Sequence, residues 1–178
     1  MFKRLKIKDV VFLAITAALL FLCSAIAMPL MSISLFGLRN MVTAIFYEAF
    51  ATLALMKVRK PGALSLLGFF NAAILVMMSP VMFITNTVSA ILAEVIALLI
   101  FRSYERDKAV LTAARLMIPL TLPFTAIFSV IINGVTFQEV LGSSWLIVVT
   151  CLATLVLSAA GGFIGQKIGK ELQKAGKL

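Results

Sequence analysis

Lys57-Val58-Arg59-Lys60-Pro61-Gly62-Ala63 sets three cations, a proline and a glycine between two long apolar runs. Charge is costly in hydrocarbon, and proline with glycine breaks regular structure. The stretch therefore reads as a loop joining two membrane spans. The side of the membrane on which it lies fixes the topology of everything else.

The rest of the chain agrees with a membrane setting. Of 178 residues, 62% are hydrophobic, and the mean hydropathy is +1.13. A soluble domain is about half apolar. Strands of a barrel alternate apolar and polar residues, whereas these runs are apolar throughout. The fold class expected is an all-α integral membrane protein: one polytopic domain forming a six-transmembrane-helix bundle in a prokaryotic cell membrane.

Net charge is +9, with no histidine. In a soluble protein that balance points to nucleic acid. Here the cations flank apolar runs, where topology explains them, so no nucleic-acid partner is expected. Cys23 and Cys151 both lie inside apolar runs and read as small apolar residues. Without histidine, zinc, haem and iron–sulfur sites lose their usual ligands. No cofactor and no metal are expected.

Six spans are read, over about 10–28, 39–56, 63–78, 81–101, 110–132 and 144–164. Ala25-Ile26-Ala27 looks like a signal-cleavage site, but the run before it is long and further spans follow, so it is read as span one. Pro29 and Gly37 mark the first outer loop, and 133–143, with Gln138 and Glu139, a later one. The third span is short, about 24 Å at helical rise. The fifth holds Pro119 and Pro123, which remove helical hydrogen bonds and predict a kink. With both termini on one side, 15 of the 16 cations fall in segments facing that side, Lys3, Arg4 and Lys177 among them and Arg115 reaching inward. By the positive-inside rule both termini, and the 57–63 loop, are then cytoplasmic.

Buried polar groups carry what chemistry there is. Glu48 lies mid-way along span two and Glu94 in the inner half of span four. Intramembrane acids are expensive and mark function by default; the alternative is a helix–helix hydrogen bond. Asn40, Asn71, Asn86 and Asn133 lie in or at the ends of four spans, with interhelical bonding as their plainer role. Asn86, Ala90, Ala93, Glu94 and Ala97 share one face of span four, and Leu64, Gly68, Asn71 and Leu75 one of span three. Arg39, the lone outer cation, either attracts an anionic group, pairs with Glu139 or marks the span boundary. Tyr47 lies deep enough to stack on a planar solute, whereas Trp145 reads as an interfacial anchor. Ala14 and Ala18 form a small-xxx-small pair, and Gly161, Gly162, Gly165 and Gly169 a second close-packing surface. No nucleophile–base pair and no Walker-type glycine loop is present, so neither catalysis nor ATP hydrolysis by this chain is expected.

Several segments resemble a known family. Arg59-Lys60-Pro61-Gly62-Ala63 is similar to the segment after span two in the substrate-capture (S) components of energy-coupling factor (ECF) transporters linked to thiamine and its hydroxymethylpyrimidine precursor. Ala93-Glu94 followed by Phe101-Arg102-Ser103-Tyr104 resembles the end of span four there, and Gly161 to Lys170 resembles a related S-component group of unassigned substrate. The thiamine-type pattern has an acid early in span three, where this chain reads Leu67-Gly68. The resemblance implies a solute pocket near the outer face. It implies docking on a transmembrane coupling (T) protein driven by two cytoplasmic ATPases, with reorientation to release solute inside. Ala14 and Ala18 match the family's Ala-xxx-Ala docking motif.

Arg39, Asn40, Tyr47, Glu48, Asn71, Asn86, Glu94 and Asn133 are thus the candidate solute-binding residues. A buried carboxylate favours a positive partner, so Glu48 and Glu94 suit a cationic solute. Two other readings stand beside an S component: a stand-alone proton-coupled carrier or channel using those acids, and a non-transport membrane scaffold.

Overall fold

The computed structural model describes residues 5–25, 36–141 and 144–176. Pro29, Lys3, Arg4 and Lys177 lie outside them, as do residues 26–28 of the first expected span and 142–143 of the later outer loop. The described residues are helical, with seven helices: α1 (Ile7–Ala25), α2 (Leu38–Lys57), α3 (Ala63–Leu75), α4 (Pro80–Phe101), α5 (Asp107–Asn133), the single-turn α6 (Phe137–Leu141) and α7 (Ser144–Lys174).

The six longer helices form a closed ring. Going round it, α1 packs on α3, α3 on α4, α4 on α5, α5 on α7, α7 on α2 and α2 back on α1, while α2 also reaches across to α5. Four helices, α1, α4, α5 and the Ile147–Lys174 part of α7, are long and apolar enough to cross a membrane. α3 is apolar but has 13 residues, about 20 Å at helical rise, short of the roughly 30 Å hydrocarbon layer. α2 has 20 residues, carries Arg39, Glu48 and Lys57, and is the polar helix of the bundle.

Small residues decide which faces meet. On α4, Ala90, Ala93 and Ala97 are fully buried, and on α3 Leu64, Leu67, Gly68 and Asn71 are buried against them. A Cβ on Gly68 would collide with that of Ala90, so this glycine sets the α3–α4 spacing. The glycines of α7 do the same against α2: Gly161 faces the Ile45 backbone, Gly165 faces Ala49 and Thr52, and Gly169 faces Met56. The glycine surface read from the sequence is therefore packed, whereas Ala14 is half-buried and Ala18 exposed on the outer side of α1.

Arg59 and Lys60 tie the 57–63 loop to its neighbours. Arg59 forms an ion pair with Asp107 at 2.7 Å and donates to the Glu105 carbonyl at 2.8 Å. Lys60 pairs with Asp9 of α1 at 2.5 Å. Lys170 of α7 reaches Asp107 at 3.7 Å. Gly62 adopts φ +89°, a left-handed conformation that glycine takes without penalty, and α3 starts on the next residue. One end of the bundle therefore holds the basic loop, the α4–α5 connection and the cationic part of α7.

Some boundaries differ from expectation. α7 does not end near residue 164 but runs ten residues further, to Lys174. Its last turns set Gly165 and Gly169 among Lys167, Lys170 and Glu171, so one side keeps packing on α2 after the segment ceases to be uniformly apolar. α6 falls within what the sequence reads as a plain outer loop. It follows a capping box in which the Thr136 N–H donates to Glu139 Oε2 at 2.7 Å and the Glu139 N–H donates to Thr136 Oγ1 at 3.3 Å. These bonds hold the Glu139 carboxyl below the usual carboxylate range. They engage Glu139 locally, and no Arg39–Glu139 ion pair occurs among the described residues.

Candidate functional site

At the end of the bundle away from the basic loop, a cavity of ≈ 90 Å³ opens between the C-terminal ends of α1 and α3, the start of α2, the start of α4 and the middle of α5. Among the described residues, hydroxyls, amides and the apolar side chains of Leu75, Met82 and Ile118 line it, with a single charge, Arg39. Thr43 and Tyr47 follow Arg39 and Asn40 down α2 at helical spacing, which puts all four on one side. Met82, Thr85 and Asn86 face them from α4, and Ile118, Thr121 and Thr125 from α5.

Hydrogen bonds fix the walls. Asn40 Nδ2 donates to Thr121 Oγ1 at 2.7 Å, joining α2 to α5. The buried Tyr47 hydroxyl donates to Asn71 Oδ1 at 2.9 Å, with Ser24 Oγ 3.2 Å away. Asn71 Nδ2 reaches Asn86 Oδ1 at 3.4 Å, and Asn86 Nδ2 donates to the Met82 carbonyl at 2.9 Å. A polar chain thus runs through α1, α2, α3 and α4 along one flank of the cavity. It joins three residues that stand apart in the sequence: Tyr47 and Asn86 line the cavity, and Asn71 supports them from behind.

Three candidates are placed elsewhere. Glu94, 3% exposed, caps the N-terminus of α3: the Gly62 N–H donates to Oε1 at 2.7 Å, the Ser65 N–H to Oε2 at 2.8 Å, and the Ser65 hydroxyl also to Oε2. Helix N-termini leave backbone N–H groups without intrahelical partners and favour negative charge. Glu94→Ala is therefore expected to lower stability by about 2–4 kcal/mol, because two buried-side N–H donors lose a charged acceptor. Thermal unfolding in detergent measures it, and an unchanged midpoint would remove the capping role.

Glu48 is fully buried in the middle of the bundle and does not line the cavity. Its Oε1 accepts from the Ile118 N–H of α5 at 3.2 Å and lies 3.0 Å from Ser158 Oγ of α7. Pro119 explains the company. Lacking an N–H, it deprives the Arg115 carbonyl of its helical donor, and Ser158 Oγ supplies a replacement at 2.9 Å. Glu48 is thus a three-helix tie at the point where α5 has broken hydrogen bonds. Glutamine keeps an Oε1 in place, so Glu48→Gln is expected to leave solute affinity unchanged and stability within about 1 kcal/mol. Isothermal titration with the co-purified solute checks this, and a tenfold affinity loss would put Glu48 back in the site.

Asn133 is exposed at the C-terminal end of α5 and takes no part in the cavity. Arg115 lies against α7. Its guanidinium carbon lies 3.9 Å from the centre of the Phe163 ring, and Nε and one terminal nitrogen are enclosed. Sequence reasoning does not find Ser24, Thr43, Thr85, Thr121 and Thr125. Serine and threonine are common in membrane helices, where they bond to the carbonyl one turn back, as Thr85 does to Val81 at 2.6 Å. Only the register of four helices shows them to converge. No cluster of potential metal ligands occurs among the described residues.

Comparison with known proteins bears on the whole chain. Residues 7–143 match the family model described as a hypothetical bacterial integral membrane protein (Trep_Strep). No curated protein matches the chain. A solved structure titled "Crystal structure of an S-component of ECF transporter" superposes with a TM-score of 0.68 at 16% identity, covering 97% of this chain and 88% of that one. The chain is a multi-pass protein of the bacterial cell membrane; it belongs to the Trep_Strep family of bacterial integral membrane proteins and has the fold of an ECF transporter S component.

Proposed function

We propose that this protein is the solute-capturing S component of an ECF-type importer. In this reading α2 and α3 cross the membrane together with the four longer apolar helices, giving six spans with both termini in the cytoplasm. The cavity then faces outward and the basic loop inward, which is the arrangement the positive-inside rule favours. The protein captures a vitamin-like small solute, with thiamine precursors among the candidates. It passes the solute inward while docked on a T component powered by two ATPases, and itself catalyses nothing.

The observation that carries the reading is the agreement of nearly the whole chain with an S-component fold, joined to a polar cavity at the end opposite the basic loops. Glu94 caps a helix and Glu48 is closed off from the cavity, so neither acid lies on a visible path for proton-coupled transport. Partner recovery tests the proposal. The tagged chain, solubilised gently from its own host, is expected to bring down a T protein and two ATPases. Recovery of the chain alone, together with solute transport by the chain alone in liposomes, would replace the S-component reading with a self-sufficient carrier.

A further inference from the structure

The chemistry of the cavity narrows the class of solute. Among the described residues its one charged lining residue is Arg39, half-buried at the start of α2. The guanidinium donates to Met82 Sδ at 3.3 Å, a weak acceptor. Among the described residues no carboxylate lies within ion-pair distance of it. The acids that could have served are committed: Glu94 to the start of α3, Glu48 to Ile118 and Ser158, Glu139 to Thr136. A half-buried guanidinium with only a thioether for company leaves its charged donors poorly matched, and its planar fork suits a carboxylate or phosphate.

We infer that the solute is a small acid, whose anionic oxygens sit on Arg39 while Asn86, Thr43 and Tyr47 bound its uncharged body. This rests on the S-component reading and deepens it. It runs against the expectation of a cationic solute drawn from Glu48 and Glu94, since neither acid lines the cavity and the group that does is a cation. A phospholipid phosphate is the other source of an anion for Arg39.

The test uses the full chain in nanodiscs made only of phosphatidylcholine, incubated with the polar metabolite extract of the host, washed, and its bound molecules identified by mass spectrometry. Wild type, Arg39→Gln and Arg39→Lys are compared, each first shown to be monodisperse. A soluble solute anionic at pH 7 is expected on wild type. It should fall at least tenfold on Arg39→Gln and recover in part on Arg39→Lys. A bound solute that is cationic or neutral, or one retained equally by Arg39→Gln, overturns the inference and leaves the S-component reading standing. Phospholipid as the only anion lost with Arg39 also overturns it. If Arg39→Gln does not fold, the charge of the wild-type solute and the Arg39→Lys result decide. No solute on any variant overturns the inference and the S-component reading with it.

Discussion

Gly165→Leu is expected to separate α7 from α2 and cost about 3 kcal/mol or more, enough to remove most folded protein from the membrane fraction. A Cβ at Gly165 would lie 2.9 Å from the Ala49 Cα and 2.9 Å from Thr52 Cβ. Backbone atoms cannot turn aside as a side chain can, so the helices must part. Overpacking a close contact costs about 1–3 kcal/mol, and here a whole helix pair is displaced. The α2–α7 contact also carries the Glu48–Ser158 tie, which opens with it. Neighbouring glycines give an internal ranking. Gly161 likewise meets backbone, that of Ile45, with Cα at 2.9 Å. Gly169 meets the flexible Met56 side chain, with Sδ at 2.5 Å. Leucine is therefore expected to be tolerated best at Gly169. Thermal midpoints in detergent give the order, and Gly165→Leu melting with wild type while Gly169→Leu collapses would contradict the packing.

Ala14→Trp with Ala18→Trp is expected to stop import, by more than tenfold, while bound solute stays at its wild-type level. α1 buries Leu13, Thr16, Ala17, Leu20 and Ser24 against the bundle. Ala18 is exposed and Ala14 half-buried, with Val11, Ile15 and Leu22 exposed around them. Two small side chains among larger ones form a shallow strip on which another helix can lie closely. Filling it with indole blocks that approach without touching the cavity, which α1 reaches through Ser24. Uptake by cells expressing the whole transporter, set beside solute retained by the purified chain, separates the two effects. Solute binding lost with subunit assembly intact would remove these alanines from the docking surface.

The packing residues and the cavity residues differ in how plainly the sequence announces them. The Ala90–Ala93–Ala97 face, the Gly68 stripe and the glycines of α7 follow from helical spacing and residue size, so the amino-acid sequence alone makes them legible. That the basic stretch is a connection between two helices follows from its charges, proline and glycine. The end of α7 does not, because hydropathy marks where lipid stops and not where hydrogen bonding along a helix stops. Glu48 and Glu94 stand out as intramembrane acids, but what an acid does depends on what faces it. One faces free N–H groups at the start of α3, the other a proline-broken turn of α5. Conversely, the hydroxyls of Ser24, Thr43 and Thr121 look ordinary one helix at a time and become a site only when four helices bring them together. Arg39 is visible as the cation set apart from the basic segments, yet only the packed bundle shows that the carboxylates lie elsewhere.

The central claim is that the chain captures solute and others drive it. Proteoliposomes test this most directly, with the solute released from the purified protein as the transported species. With the T component and both ATPases present and ATP on their side, uptake is predicted to be rapid, and to vanish without ATP or with the chain alone. Uptake by the chain alone at the same rate, indifferent to ATP and to the other subunits, would contradict it.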